Sequence, residues 1–513
     1  MATNSIRAIV LAAGKSSRFK TKKSKLLFNI CGRTMILYPL KALDALGIPM
    51  TAVLGHQADE IEAEVACVGI KDIAFVLQDE PRGTGHAVAC SQSTWGDVDD
   101  ILILNGDMPL VSTELLQYII QEHRSKNATV TFLTAMMMDP KNYGRVIETG
   151  SGYEIIEAKD CSPEQLEVAR INAGVYLINR AWLEEQINQL PVSSVTGEVY
   201  FTHVVALASQ QGKVVHALPV AYDDVRGINT LQELWEVEQI IRSELIRHWM
   251  ANGVRFELAQ SIHLDVNVTI GAGSFIGTGV HLLGDTTIGE ESWVGAFTIV
   301  EDSVVGNNTM VHSHTVVQDS TLGDNVHVGP FARLRNHVKL DDYVDVGNFV
   351  ELKRTTIGTK SKAKHLTYLG DCTVGKHVNI GAGTVTCNYD GLKKYETKIA
   401  DYSFIGSNNT IIAPMSIGPR AYTAAGSTIH KDVPEDCLAI GRSRQENKDG
   451  YAEKLLKKQV QPVDKDDNQL HCDASGKSEA VRFNFKGALK ADEQQSACQV
   501  DVSLEKDERN ITL

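Results

Sequence analysis

The sequence predicts an α/β chain made of two unlike parts, and three observations carry that prediction. In residues 1–228 short apolar runs alternate with amphipathic segments, the pattern of a mostly parallel sheet covered by helices. From about residue 254 aliphatic residues fall six apart and are often followed by glycine, the hexapeptide repeat of a parallel β-helix. Residues 229–252 between them read as one long amphipathic helix, a natural connector.

The elements follow in order. The apolar runs Ala8–Ala13, Met50–Leu54, Ile73–Gln78, Ile101–Leu104, Thr129–Ala135 and Gly174–Ile178 are strand length and fill the interior of the first part. Ligands of such sheets collect at the carboxyl ends of the strands, so the loops after these runs are where chemistry belongs. In residues 253–444 the period of six appears at Ile270, Ile276, Leu282, Ile288 and Val294, slips by a residue, and resumes at Val305, Val311 and Val317. It continues through Leu322, Val328, Leu334, Leu340, Val346 and Leu352 to Ile405, Ile411 and Ile417. No helix has this period, and plain alternation does not explain the glycines. After Arg444 the repeat stops; residues 445–513 form a polar stretch expected to be a poorly ordered tail, with 480–485 one candidate strand.

Composition narrows the function classes. The 513 residues include 50 Lys and Arg against 64 Asp and Glu, a formal charge of −14. That balance argues against a protein working by neutralising nucleic-acid phosphates, while leaving room for a small anion in a local basic pocket. No run of about 18 apolar residues occurs, so no membrane insertion is expected. The nine cysteines are scattered without a Cys-x-x-Cys pair, which predicts free thiols in a reducing compartment. With no secretory pattern at the N-terminus, a cytoplasmic protein is expected.

Three strand ends carry candidate chemistry. The first run opens onto Leu11-Ala12-Ala13-Gly14-Lys15-Ser16-Ser17-Arg18-Phe19, with Lys25 following. A Gly at a strand's end lets backbone N–H groups approach phosphate oxygens, and Arg18 and Lys25 add charge; an ordinary strand-to-helix turn is the competing reading. The third run leads to Gln78 and Gly83-Thr84-Gly85, and the fourth to Asn105-Gly106-Asp107. A carboxylate placed like Asp107 suits Mg²⁺, a hard cation taking oxygen donors, although it equally suits a helix cap or turn.

These residues together resemble the sugar-1-phosphate nucleotidylyltransferases. With Tyr143-Gly144-Arg145, Glu157, Asn172-Ala173-Gly174 and Asn229 in order, followed by the hexapeptide solenoid, residues 5 to about 445 are similar to one family. It is the bacterial bifunctional N-acetylglucosamine-1-phosphate uridylyltransferase / glucosamine-1-phosphate N-acetyltransferase family. The resemblance implies an α/β fold with an N-terminal Rossmann-like nucleotidyltransferase domain and a left-handed parallel β-helix. It implies that Leu11, Ala12, Ala13 and Gly14, with Gln78, Gly83 and Thr84, hold uridine, and that Gly144, Glu157 and Asn172 hold N-acetylglucosamine. Asn105 and Gly106 would belong to the same nucleotide- and sugar-binding site, Asp107 and Asn229 would bind Mg²⁺, and the catalytic Arg18 and Lys25 would position the phosphates while the sugar phosphate attacks UTP. The family loop usually reads Gly-Lys-Gly-Thr-Arg-Met; here Ser16 stands in place of the second Gly and must adopt its backbone angle.

The solenoid could be only an oligomerisation rod. Against that stand polar residues that break its pattern: Arg333-Leu334-Arg335, Glu351-Leu352-Lys353, Lys364-His365, Tyr368 and the interruption Cys387-Asn388-Tyr389-Asp390-Gly391. Amide formation from an acyl thioester needs a base for the amine proton, and neutral histidine suits pH 7, although a lone histidine is more often structural. The resemblance implies that His365 is that base, oriented by Glu351. It places Arg335 and Lys353 on the sugar phosphate, Tyr368 and Asn379 on the sugar, and Ala382, Asn388, Tyr389, Ser407, Ala425 and Arg442 on acetyl-CoA, some across a subunit boundary of a homotrimer. The expected product, UDP-N-acetylglucosamine, serves peptidoglycan and lipopolysaccharide synthesis. Two rivals are a single-activity nucleotidylyltransferase whose β-helix only oligomerises, and an inactive regulatory subunit; the latter has no need to keep Lys25, Asp107 and Asn229.

Overall fold

The computed structural model describes residues 6–14 and 16–459. The first part is a nine-stranded mixed sheet. Its main path uses β1 (Ile6–Ala12), β2 (Met50–Leu54), β3 (Ile73–Leu77), β4 (Asp100–Asn105), β5 (Val130–Met136), β8 (Arg170–Asn179) and β9 (Val215–Pro219). The hairpin of β6 (Arg145–Thr149) and β7 (Gly152–Ile156) joins it through β8. The spatial order is β9-β5-β8-β4-β1-β2-β3. Neighbours are parallel, except that β8 runs antiparallel to both β4 and β5. Ile9, Val53, Ile101 and Ile103 point to one apolar cluster, while Ala8, Val10, Leu102 and Leu104 point to the other. The strand runs are therefore apolar on both faces because helices cover both.

The helix α5 (Leu231–Ala251) begins in a capping box: Thr230 accepts the Glu233 backbone N–H, and the Glu233 carboxylate accepts the Thr230 N–H at 3.0 Å and that of Asn229 at 2.7 Å. Its apolar stripe is shared. Val237 and Ile241 belong to the core of the first part, and Ile246 to that of the second. A hydrogen bond from Val266 N–H to Cys31 C=O at 3.0 Å adds a second seam between the parts.

The second part is a 26-stranded parallel array, a left-handed β-helix. Every sixth aliphatic from Ile270 to Leu352 is buried, so burial repeats with the sequence period. Early coils pair residues 18 apart, such as Thr269 with Thr287, and the next pair residues 17 apart, such as Thr287 with Val304. That change is the phase slip visible between Val294 and Val305. Side chains also stack at the corners: Phe297, His314, Phe331 and Phe349 form a column with ring separations of 5.3, 4.9 and 5.5 Å. The spacing is close to the separation of adjacent strands.

The expectation of a poorly ordered tail is corrected in part, because Tyr451–Gln459 form a helix carrying a Glu453–Lys457 ion pair. The spacing of four places those two side chains on one face. The candidate strand at 480–485 lies outside the described residues.

Candidate active sites

The carboxyl ends of β1 and β4 meet where the Gly106 N–H donates to Leu11 C=O at 2.9 Å. The next residue, Asp107, sits under the loop that follows β1. Lys25 Nζ pairs with the Asp107 carboxylate and donates to Ile228 C=O at 2.8 Å and Asn229 Oδ1 at 3.0 Å. Arg18 Nη2 donates to the same Asn229 oxygen at 2.7 Å. Thus Arg18, Lys25, Asp107 and Asn229 converge from three distant segments, with Asn229 fixed by the capping box of α5. Two cations face one carboxylate, an excess of positive charge suited to phosphates. Asp107 and Asn229 supply two hard oxygen donors, a set that suits an ion completing its shell with phosphates and water. Among the described residues no group of three His, Cys, Asp or Glu gathers to hold a metal alone.

Ser16 does take a left-handed backbone angle, φ 54°, and its hydroxyl accepts the Lys25 backbone N–H at 3.0 Å. The loop is thereby tied to the residue whose ammonium reaches Asp107.

Gln78 is buried at the end of β3, and its amide donates to Gly83 C=O at 3.1 Å and meets His86 Nδ1 at 3.0 Å. Gly83 has φ 107°, and a Cβ there would lie 2.8 Å from Val199 N, so only glycine fits. The Thr84 hydroxyl accepts the Phe201 N–H at 2.9 Å, bracing the same turn. Beyond it Gly144 C=O accepts the Asn172 N–H at 2.9 Å. Glu157 accepts the Thr202 hydroxyl at 3.0 Å; burial pushes its carboxyl above the usual range against the lowering effect of that bond. The Asn172 amide donates to the Tyr176 hydroxyl at 2.7 Å, while Gly174 packs beside Asn105. Tyr222, whose hydroxyl lies 3.4 Å from that of Tyr143, and Thr202 complete this wall. Those two carry no motif of their own and are distant in sequence, which is why only the fold reveals them.

In the β-helix, His365 pairs with Asn348, and His365 Nδ1 lies 3.0 Å from Asn348 Oδ1. This corrects the expectation that Glu351 orients the histidine. The Glu351 carboxylate instead accepts Arg335 Nε at 3.0 Å and Nη2 at 2.5 Å. With Asn348 Oδ1 as the acceptor, a neutral ring would carry its proton on Nδ1 and leave the Nε2 lone pair available. Lys353 lies beside Lys394, whose hydrogen bond and charge lower the Lys353 ammonium from its ordinary value. Lys394 was not among the sequence candidates. It is brought back by the interrupting loop, where Tyr389 and Lys394 form a bridge.

His365, Ala382, Ser407 and Ala425 occupy one corner of successive coils. The pairings Lys362–Asn379, Asn379–Phe404 and Phe404–Tyr422 set the register. Corner bonds from Asn408 N–H to Ala382 C=O at 2.7 Å and from Gly426 N–H to Ser407 C=O at 2.8 Å repeat it. The small side chains thus form a track leading away from the histidine, and Arg442 lies against Gly426 at its end. Asn388 and the exposed Tyr389 stand at another corner, in the interrupting loop. One chain does not gather every candidate: Tyr368 pairs with Glu351 and Val385, whereas Asn379 pairs with Lys362 and Phe404 on a different face of the prism.

Residues 8–147 match the family described as a MobA-like NTP transferase domain. The bifunctional protein GlmU of Pelobacter propionicus is 40% identical over 458 residues, covering 88% of this chain and 99% of that protein. That of Geotalea daltonii is 42% identical, with 87% and 98% covered, and that of Halalkalibacterium halodurans is 37% identical, with the same shares. On identity sustained across both parts, the chain belongs to the bifunctional GlmU family.

Proposed function

We infer that this enzyme catalyses two successive steps of UDP-N-acetylglucosamine synthesis at separate sites. At the β-helix, glucosamine-1-phosphate is bound through its phosphate by Arg335, Lys353 and Lys394. Its neutral amine attacks the thioester carbon of acetyl-CoA lying along the Ala382–Ser407–Ala425 track, with Asn388, Tyr389 and Arg442 as further contacts. His365 Nε2 takes the amine proton as the C–N bond forms, and passes it to the thiolate sulfur as the C–S bond breaks, so CoA leaves as the thiol and the histidine is again neutral. Asn348 keeps the ring in the tautomer that leaves Nε2 basic. Glu351 acts on Arg335, holding its guanidinium at the anion site.

At the N-terminal site the product is held by Gly144, Glu157 and Asn172, and the uridine of UTP by the Leu11–Gly14 backbone, Gln78, Gly83 and Thr84. The sugar phosphate attacks the α-phosphorus in line, expelling pyrophosphate. Lys25 and Arg18 turn from Asp107 and Asn229 to the incoming phosphates and offset their charge. Asp107 and Asn229 would then hold Mg²⁺, which supplies charge neutralisation across the phosphates.

The observation that favours two activities over a uridylyltransferase with an inert rod is His365, hydrogen-bonded to Asn348 at the head of a small-residue track. A rod built for stacking has no need of either. The placement of Tyr368 and Asn379 on different faces favours a homotrimer whose acetyltransferase sites are shared between copies. The reading is of a cytoplasmic enzyme of the cell-wall and lipopolysaccharide precursor route; no helix among the described residues is long and apolar enough to cross a membrane.

Asp107→Ala should lower uridylyl transfer by at least roughly 100-fold and leave acetyl transfer unchanged. His365→Ala should lower acetyl transfer by about 100- to 10,000-fold and leave uridylyl transfer unchanged. Separate assays of the two half-reactions read this directly, and loss of both activities in either variant would contradict the two-site reading.

A further inference from the structure

The corner that follows Tyr368 carries a polar chain of which the proposed mechanism uses only the last member, Asn388. Arg354, Asp371 and Asn388 occupy equivalent positions on three successive coils. Asp371 Oδ1 accepts Arg354 Nε at 2.5 Å, and its Oδ2 accepts Arg354 Nη2 at 3.1 Å and the Asn388 amide N–H. Asn388 is buried, and among the described residues nothing donates to its Oδ1. Burial would push the Asp371 carboxyl up, but the bonds from Arg354 and Asn388 outweigh it and hold the group below the usual carboxylate range. Asp371 is therefore an ionised acceptor at neutral pH. Both Arg354 and Asp371 adopt left-handed backbone angles, φ 46° and 50°. The intervening Gly370 leaves the space: a Cβ there would meet the Tyr368 hydroxyl and lie 2.7 Å from Asn388 Nδ2. The group proposed to touch the sugar and the one proposed to touch acetyl-CoA thus meet over a single glycine.

We propose that Asp371, itself held by Arg354, is a positioning residue for acetyl transfer, fixing the Asn388 amide so that its Oδ1 faces the acyl donor as a hydrogen-bond acceptor. The inference rests on Asn388 contacting acetyl-CoA. The amide can rotate by half a turn at little steric cost, presenting N–H groups instead of an oxygen. A carboxylate, which can only accept, admits one of the two orientations.

The test is steady-state kinetics of acetyl transfer in the full chain, varying acetyl-CoA and glucosamine-1-phosphate separately, with uridylyl transfer and thermal melting measured on the same samples. Asp371→Ala should lower kcat/KM for acetyl-CoA roughly tenfold, with KM for glucosamine-1-phosphate within about twofold of the parent. Asp371→Asn, whose own Oδ1 still accepts from Asn388, should recover most of that loss. Should Asp371→Ala fail to fold, N388D decides, because it sets two carboxylates together and should abolish acetylation. The double variant D371N/N388D exchanges donor and acceptor and should restore it. An Asp371→Ala enzyme with parental acetyl-CoA kinetics, an Asp371→Asn enzyme as impaired as Asp371→Ala, or no recovery in the double variant would overturn the proposal. Parental kinetics in Asn388→Ala would overturn it differently, by removing Asn388 from the acetyl-CoA site altogether.

Discussion

Glu157 faces the proposed sugar pocket with its carboxyl largely buried beneath Thr202. Burial raises its pKa above the value it has in the unfolded chain, so the folded state binds this proton more tightly. Stability is then lost as pH rises from the unfolded pKa through the raised folded one, and the loss persists at neutral pH. Glu157→Gln keeps an oxygen for the Thr202 hydroxyl and removes the titration. Melting of the variant should exceed that of the parent at pH 7.5, with the difference vanishing below about pH 4. A difference independent of pH would place the effect elsewhere. At this scale the sequence was informative where residues are contiguous: the loop from Leu11 to Arg18 could be read directly, including the constraint on Ser16. It failed where a partner lies one coil away. The bond joining His365 and Asn348 spans 17 residues, the length of a coil there. The six-residue period shows which residues point inward, yet coils of 17 and 18 residues both occur, so the residue beneath His365 is not readable from the period.

Each face of the β-helix is a stack of short strands whose outward residues come from successive coils. Along one face run Glu351, Tyr368 and Val385, and along another Lys362, Asn379 and Phe404. Residues on different faces point apart, so in the proposed homotrimer a small sugar phosphate touching Tyr368 of one copy would meet Asn379 of another. Trimers of Tyr368→Ala and of Asn379→Ala should each acetylate poorly. After unfolding and refolding together, mixed trimers should regain activity, because some shared sites then contain both native residues. Absence of recovery would assign both residues to one copy. The repeat and the long helix α5 were legible because their periods extend over many residues. The β6–β7 hairpin was not, since its two short strands lack a strong apolar pattern, with several half-exposed positions.

Across the whole molecule, the two chemistries are assigned to different architectures joined by α5, whose N-terminus fixes Asn229 and whose later turns enter the solenoid core. This division explains why the fold class was readable from sequence: a doubly apolar strand run and a six-residue period cannot be mistaken for one another. In the proposed function one chain performs both transfers in order. The direct measurement supplies purified protein with glucosamine-1-phosphate, acetyl-CoA, UTP and Mg²⁺, and follows free thiol and pyrophosphate separately. Release of both, with pyrophosphate dependent on prior acetylation, is the predicted result. Pyrophosphate from added N-acetylglucosamine-1-phosphate, with no thiol released from acetyl-CoA and glucosamine-1-phosphate, would contradict it and leave the β-helix a scaffold.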